Sequence, residues 1–252
     1  MNDIVNEKRR LVEKRKKFKP LPIIKALAEE KEASSNLYTI LSSHIKSVDE
    51  AVAFVIELDV DQPFNEQDKS LLEQIKHVEK CGALALAVDL SNKTDDLDHS
   101  LSFIKETTLP TLLYEIVVDE YQIYEAKSLG VSSISLFPGL LELGELQYFL
   151  EISRELHIEP WLSIRTKEAL EIALKTDASI LALHQNFSDK LKHHPNELVE
   201  FIDLIKYSRR DTEEPFLIAH ERGVQNLKDI DLLKSIGIST FLLPSFILLP
   251  PS

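Results

Sequence analysis

From Ala51 to Leu243 the apolar positions of this chain alternate between two rhythms. Short continuous apolar runs suit strands covered on both faces, and the charged stretches between them carry apolar residues at helical spacing. The segment Leu109 to Gly130, LPTLLYEIVVDEYQIYEAKSLG, shows the unit in full. Pro110 opens an apolar run, and Asp119 offers a side chain that can accept hydrogen bonds from the free amides of a first helical turn. Ile123, Ala126 and Leu129 then recur along one helical face until Gly130 stops the helix. The cadence returns about every 20 to 30 residues, the size of a parallel strand-helix-strand unit. Eight strands are expected, at 51–58, 83–88, 111–117, 132–137, 160–164, 179–183, 216–220 and 240–243. Eight such units predict an α/β protein, a closed (β/α)8 TIM barrel in preference to an open doubly wound sheet.

Before the barrel, residues 2–18 place Ile4, Val5, Leu11 and Val12 on one side with charges elsewhere, which predicts an amphipathic helix. Pro20 and Pro22 introduce a second charged helix, IIKALAEEKEA, and then NLYTIL. The expected organisation is an N-terminal helical extension over 1–48 packed on a barrel over 49–252. The first helix reads either as a solvated cap on the barrel or as a basic arm for an acidic partner. Few residues follow the eighth strand, so the last barrel helix is expected to be missing or shortened. The flank it leaves would seek the N-terminal helices, a second copy of the chain or another protein.

Composition narrows the partners. With 44% hydrophobic and 28% charged residues, the 252-residue chain reads as one soluble globular domain. Its net charge of -13 disfavours nucleic acid and anionic membrane surfaces, although residues 1–19 hold eight Lys or Arg against three Asp or Glu. The single cysteine, Cys81, excludes an internal disulfide, no apolar run reaches membrane-span length, and the basic start lacks the apolar core of a secretory signal. A cytoplasmic location is expected. Six glycines are few for a barrel, whose phosphate-cradling loops depend on them. Asp95, Asp96 and Asp98 lack the glycine and terminal glutamate of a calcium loop, His193 and His194 fall in a polar loop, and no dinucleotide, Walker or zinc-spaced motif occurs. No metal or cofactor is expected, and a small-molecule ligand is the partner class left open.

Several segments resemble the indole-3-glycerol phosphate synthases, (β/α)8 enzymes of tryptophan biosynthesis. LPTLLYEIVVDEYQIYEA is similar to that family's third strand and following helix, where a proline-led strand runs into Asp-x-Tyr-Gln-Ile-Tyr-Glu-Ala. Further likeness lies in the KRKK run of the leading helix, NLYTIL, the first strand with Glu57, ELHIEPWLSIRTKEALEIAL around the fifth strand, and ERGV at 221–224 where the family has Glu-Ser-Gly-Ile. The resemblance spans residues 2 to 247. It implies a carbon-carbon lyase of the carboxy-lyase kind, closing an indole ring on a substituted anthranilate with loss of carbon dioxide and water. That chemistry needs a cation to steer a carboxylate, a proton donor for a carbonyl oxygen, carboxylates to move protons, and a phosphate site.

The resemblance also marks where this chain departs. Glu57 keeps its place, but Asp59 stands where the family has lysine and Gln62 where a serine helps hold phosphate. Tyr114 occupies the place of the proton-donating lysine, with Glu115 at the following Asp; a tyrosine brings no positive charge, and it either replaces the acid or fills an unused pocket. Ser163 replaces a glutamate and Arg165 a common histidine, while Trp161 shares the Ser163 face and reads as core. His184 sits where the family has asparagine, at a strand end where a histidine can move protons or be a structural residue. Glu221 and Gly223 match the family, Arg222 replaces a phosphate-facing serine, and Pro244-Ser245-Phe246 replaces a Gly-Ser start that supplies phosphate donors. If Glu221 faces the pocket, His220 does not. Three functions are therefore expected to compete: a synthase-like protein whose ring closure is weak or lost, a non-catalytic binding or regulatory barrel, and a barrel repurposed through Glu57, Asp59, His184 and Glu221 for a less anionic substrate. A pocket filled by Tyr114, Trp161 and Phe246 would favour the binding protein.

Overall fold

The computed structural model describes residues 2–32, 35–47, 51–58, 69–91, 97–184, 195–209 and 216–248. Eight parallel strands close a barrel in sequence order: β1 (Ala53–Glu57), β2 (Ala85–Asp89), β3 (Thr111–Tyr114), β4 (Ser133–Leu136), β5 (Glu159–Ile164), β6 (Ile180–His184), β7 (Leu217–Glu221) and β8 (Thr240–Pro244). Each overlaps one of the eight segments expected from the apolar runs; β2, β6, β7 and β8 run one residue past the expected end and β5 starts one residue early. β1 pairs with both β2 and β8, from Ala53 opposite Thr240 to Glu57 opposite Pro244. Three helices come first, α1 (Asn2–Phe18), α2 (Leu21–Glu29) and α3 (Leu37–Ser47). Outside the strands run α4 (Lys69–Lys80), α5 (Leu97–Ser100), α6 (Glu120–Ser128), α7 (Leu143–Glu155), α8 (Lys167–Ala173), α9 (Pro195–Arg209) and α10 (Leu227–Ser235). A short 3-10 turn, Ser245–Leu248, follows β8.

Strand pleat divides the apolar residues into two cores. Ile56, Leu86, Val88, Leu113, Leu162, Leu183 and Phe241 face the outer helices and pack with Ile75, Ile123, Ala126, Phe149, Leu170 and Ile202. Ala53, Val55, Ala87, Tyr114, Trp161, Ala182 and Ala219 form the interior, joined by Leu37 and Leu41 of α3. Asn36, just before α3, donates to Glu159 at the start of β5 at 2.8 Å, which fixes α3 over the strand beginnings and leaves the strand ends for a site.

β3 stops at Tyr114, short of the apolar run, for a local reason. Ser135 and Glu115 exchange side-chain and backbone hydrogen bonds at 2.8 Å each, and Gln122 of α6 accepts from Val118 and donates to the Ile116 carbonyl. Side chains here replace the strand ladder. Asp119 caps α6 as expected, accepting from the Tyr121 amide at 2.9 Å, and Gly130 ends it with φ of 87°.

α6 is buried almost all round because α1 and α2 lie across it. The basic face of α1 is turned to the barrel. Lys8 pairs with Glu115 at 2.7 Å, Arg15 with Glu125 at 3.3 Å and Lys16 with Asp119 at 2.7 Å, while Lys25 of α2 pairs with Glu120 and stacks over Tyr124. The first of these is a fully desolvated ion pair, with Lys8 and Glu115 exposed by 6% and 1%. Of the two roles open to α1, this geometry describes the cap.

Burial pushes the Glu125 carboxyl up to about 7, against the pull of Arg15. Its folded-state value exceeds the ordinary 4.5, so the native protein holds more protons in that window and stability falls as pH rises from 4.5 to 7. Urea unfolding at stepped pH should show that decline, and Glu125→Gln should flatten it. Lys8→Met, which strands the Glu115 charge, should cost about 3–5 kcal/mol, with most of the loss recovered on adding Glu115→Gln.

Candidate active site at the barrel mouth

Alternate residues of the strand ends converge on the axis: Glu57, Asp89, Tyr114, Ser163, His184 and Glu221 all stand on the inward register. Glu221 is the centre. It is wholly buried, and three neutral donors from two other strands satisfy it: Tyr114 Oη at 2.8 Å, Trp161 Nε1 at 2.8 Å and Ser163 Oγ. Tyr114 Oη also lies 2.9 Å from Ser163 Oγ and accepts from Arg165 at 3.3 Å. Burial pushes the Glu221 carboxyl up, while the donors from Ser163, Trp161 and Tyr114 and the charge of Arg165 pull it down. Burial and the adjacent Glu221 carboxylate push the Tyr114 hydroxyl well above its usual range, so it donates and does not ionise.

A second layer lies over the first. Arg222 reaches across the mouth from the end of β7 to Asp89 on β2 and to Glu57 on β1, the latter at 3.4 Å, with its guanidinium 4.9 Å from the centre of the Tyr114 ring. Burial raises the Asp89 carboxyl, but hydrogen bonds from Ser91 and Arg222 outweigh it and the net shift is down. Asp89 is ionised. Arg165 stacks over Phe137 at 5.0 Å, and Phe137 meets Tyr114 edge-on at 5.4 Å. The mouth therefore holds side chains stacked from axis to rim. Its two arginines lean on aromatic rings, and the one that could meet a phosphate is already clasped by two carboxylates.

Arg222 takes a left-handed backbone, φ 65°, followed by Gly223 at 81°. This costs a non-glycine residue about 1–3 kcal/mol, and the Arg222 amide to Leu242 carbonyl bond at 3.2 Å helps hold it.

The remaining expected residues fall as follows. His184 ends β6 opposite Glu221 in the register and is buried, and Ser245 is buried at the start of the 3-10 turn. His220 lies on the outer face beside Phe241, where burial pushes its imidazole down to about 4. Asp59, Gln62, His193 and His194, with Asp95 and Asp96, lie outside the described residues, as does the Phe246 side chain. Trp161 proves to be core with a polar handle. Asp89 was missed because the expected strand stopped at Val88; the alternation Ala85, Ala87, Asp89 was the available signal. Among the described residues no cluster of His, Cys, Asp or Glu is gathered that could hold a metal, and no helix is long and apolar enough to cross a membrane.

Comparison with known proteins agrees with this fold. The family model for indole-3-glycerol phosphate synthase matches residues 1–248. An indole-3-glycerol phosphate synthase of Thermoanaerobacter sp. (strain X514) is 27% identical over 251 residues, covering 96% of this chain and 90% of the relative. One from Alkaliphilus metalliredigens is 31% identical over 139 residues, 55% of this chain, so in that match the chain spans about half of its relative, 51%. Among solved structures, an HpcH/HpaI aldolase from Desulfitobacterium hafniense DCB-2 shares the fold with a TM-score of 0.58 at 11% identity, over 81% of this chain and 90% of that one.

Trp161 is the chain's single tryptophan, so its fluorescence reports on the Glu221 network directly. Tyr114→Phe should cost about 1–3 kcal/mol in urea unfolding, because it takes a donor from a buried carboxylate, and Glu221→Gln should shift the Trp161 emission without exposing the ring to iodide.

Proposed function

The chain belongs to the indole-3-glycerol phosphate synthase family, and from that premise we propose that it is a member in which ring closure is weak or lost, the barrel being kept as a scaffold. The observation that carries this reading is the occupancy of Glu221. The resemblance gives this residue proton-handling work on a substrate, yet here three of its roughly four acceptor positions are taken by Tyr114, Trp161 and Ser163. A carboxylate so saturated has little capacity left for a substrate proton.

Charge supports the same conclusion. The family substrate carries a carboxylate and a phosphate, and its lysine positions hold Asp59 and Tyr114 in this chain. Arg222 sits where a phosphate-facing serine is expected, but a phosphate would have to displace Glu57 and Asp89 from it. Pro244 supplies no amide where the family begins its phosphate-binding turn. Loss of one preorganised donor commonly lowers rates by about 100- to 1000-fold, and several are altered together. Of the alternatives, the filled interior favours a non-catalytic binding or regulatory barrel over one repurposed for another substrate.

The test is a direct assay with carboxyphenylamino-deoxyribulose phosphate, following indole-glycerol fluorescence. Turnover at least about 1000-fold below an ordinary enzyme rate is expected. A rate near or above about 1 per second would refute the reading. The combined changes Asp59→Lys, Tyr114→Lys and Ser163→Glu, checked for folding by circular dichroism, should raise whatever activity remains.

A further inference from the structure

Between the end of α1 and the first turns of α6 lies a cavity of about 180 Å³, away from the barrel axis. Its floor is made by Arg15, Tyr121 and Glu125, and its rim by Phe18, Lys19 and Asp98. The floor is buried but not satisfied. Tyr121 is 0% exposed and its hydroxyl, which faces the Glu125 carboxyl, makes no hydrogen bond of proper geometry; Glu125 is 6% exposed and its Oε2 accepts no hydrogen bond. Arg15 Nε and Nη2 likewise donate to nothing, since Nη2 approaches Glu125 at 3.3 Å as an ion pair without hydrogen-bond alignment. Buried polar groups are almost always paired, so several unpaired atoms around one cavity point to a missing partner. A second cavity at the opposite end of the barrel, about 390 Å³, offers no such set, because its Glu159 already accepts from Asn36 at 2.8 Å.

The wall chemistry defines that partner. Two cations, Arg15 and Lys19, face two carboxylates, Glu125 and Asp98, so a bare anion or a metal ion meets as much repulsion as attraction. A molecule with both signs meets neither. At roughly 30 Å³ for a water-sized body, the cavity has room for about six such bodies, enough for a small polar molecule. The way in is light to open: Lys19 and Asp98 form a surface pair exposed by 44% and 50%, and Phe18 stands 79% exposed at the lip.

We propose that this cavity binds a small zwitterion, a free α-amino acid of glycine to serine size, with its carboxylate on Arg15, Lys19 and the Tyr121 hydroxyl and its ammonium on Glu125 and Asp98. Occupancy ties the end of α1 to α6, so the ligand stabilises the docked N-terminal helix. The site is separate from the barrel mouth and stands whether or not ring closure survives.

Calorimetry and thermal unfolding of the full chain with glycine, L-alanine and L-serine, against acetate and methylammonium, test this. The amino acids should bind and raise the melting temperature, and the two singly charged probes should bind at least about tenfold more weakly. Tyr121→Phe, which removes only a hydroxyl, should keep the fold and weaken amino-acid binding by about two- to tenfold. No binding by any probe would mean that the cavity holds water alone, equal binding of acetate would mean an anion site, and unchanged affinity in Tyr121→Phe would place the ligand elsewhere; each of these overturns the proposal.

Discussion

A carboxylate taken out of water must be given partners, and that constraint organises this molecule. Glu221, Glu115 and Glu125 are all buried, and each solves the problem differently. Glu221 is held by neutral donors, Glu115 by the Lys8 ammonium and an Ile116 amide at 2.7 Å, and Glu125 only in part, by a misaligned Arg15. The first solution fills the barrel, the second fastens the N-terminal helix, and the third leaves a cavity. Removing a partner is therefore far more costly than removing the pair.

The end of β3 links the first two solutions. Tyr114 and Glu115 are neighbours in the chain and point to opposite sides, so one turns inward to Glu221 and the other outward to Lys8. Strain at either contact bears on the same short stretch of backbone, which is already held by Ser135 and Gln122 instead of by a strand ladder. The octet DEYQIYEA, met first as the motif of a strand-helix unit, is the receiving surface for α1 and α2. Asp119, Glu120, Tyr124 and Glu125 each contact a cation from those helices.

How much of this was legible follows from range. Strands and caps depend on neighbours a few residues away, so the eight apolar runs, the Asp119 cap and the Gly130 stop could be read directly. The family resemblance supplied His184 and Glu221, each one residue past its expected strand end, but named nothing at Asp89, which was lost with a single residue. Contacts across the barrel could not be read. Nothing in the order of residues joins Tyr114 to Ser163 and Glu221, or Arg222 to Asp89, because each strand end contributes one side chain and closure alone decides which of them touch. The charge on α1 was visible, but the sign of a helix does not reveal whether its partners lie in another molecule or in its own barrel.

Arg222 shows how one residue type can rearrange a whole cluster of strand-end side chains. A serine at that place could turn its hydroxyl outward at little cost, whereas an arginine held at φ 65° has a long side chain to place over a cluster of carboxylates. Glu57 and Asp89 accept it, and the Tyr114 ring lies beneath it. The retained Glu57 thereby gains a structural partner that competes with any substrate for the same charge. Freeing it requires breaking a half-buried clasp and leaving two carboxylates close to one another, whose repulsion a doubly anionic ligand would increase. The arrangement is thus stabilised against that ligand by its own electrostatics.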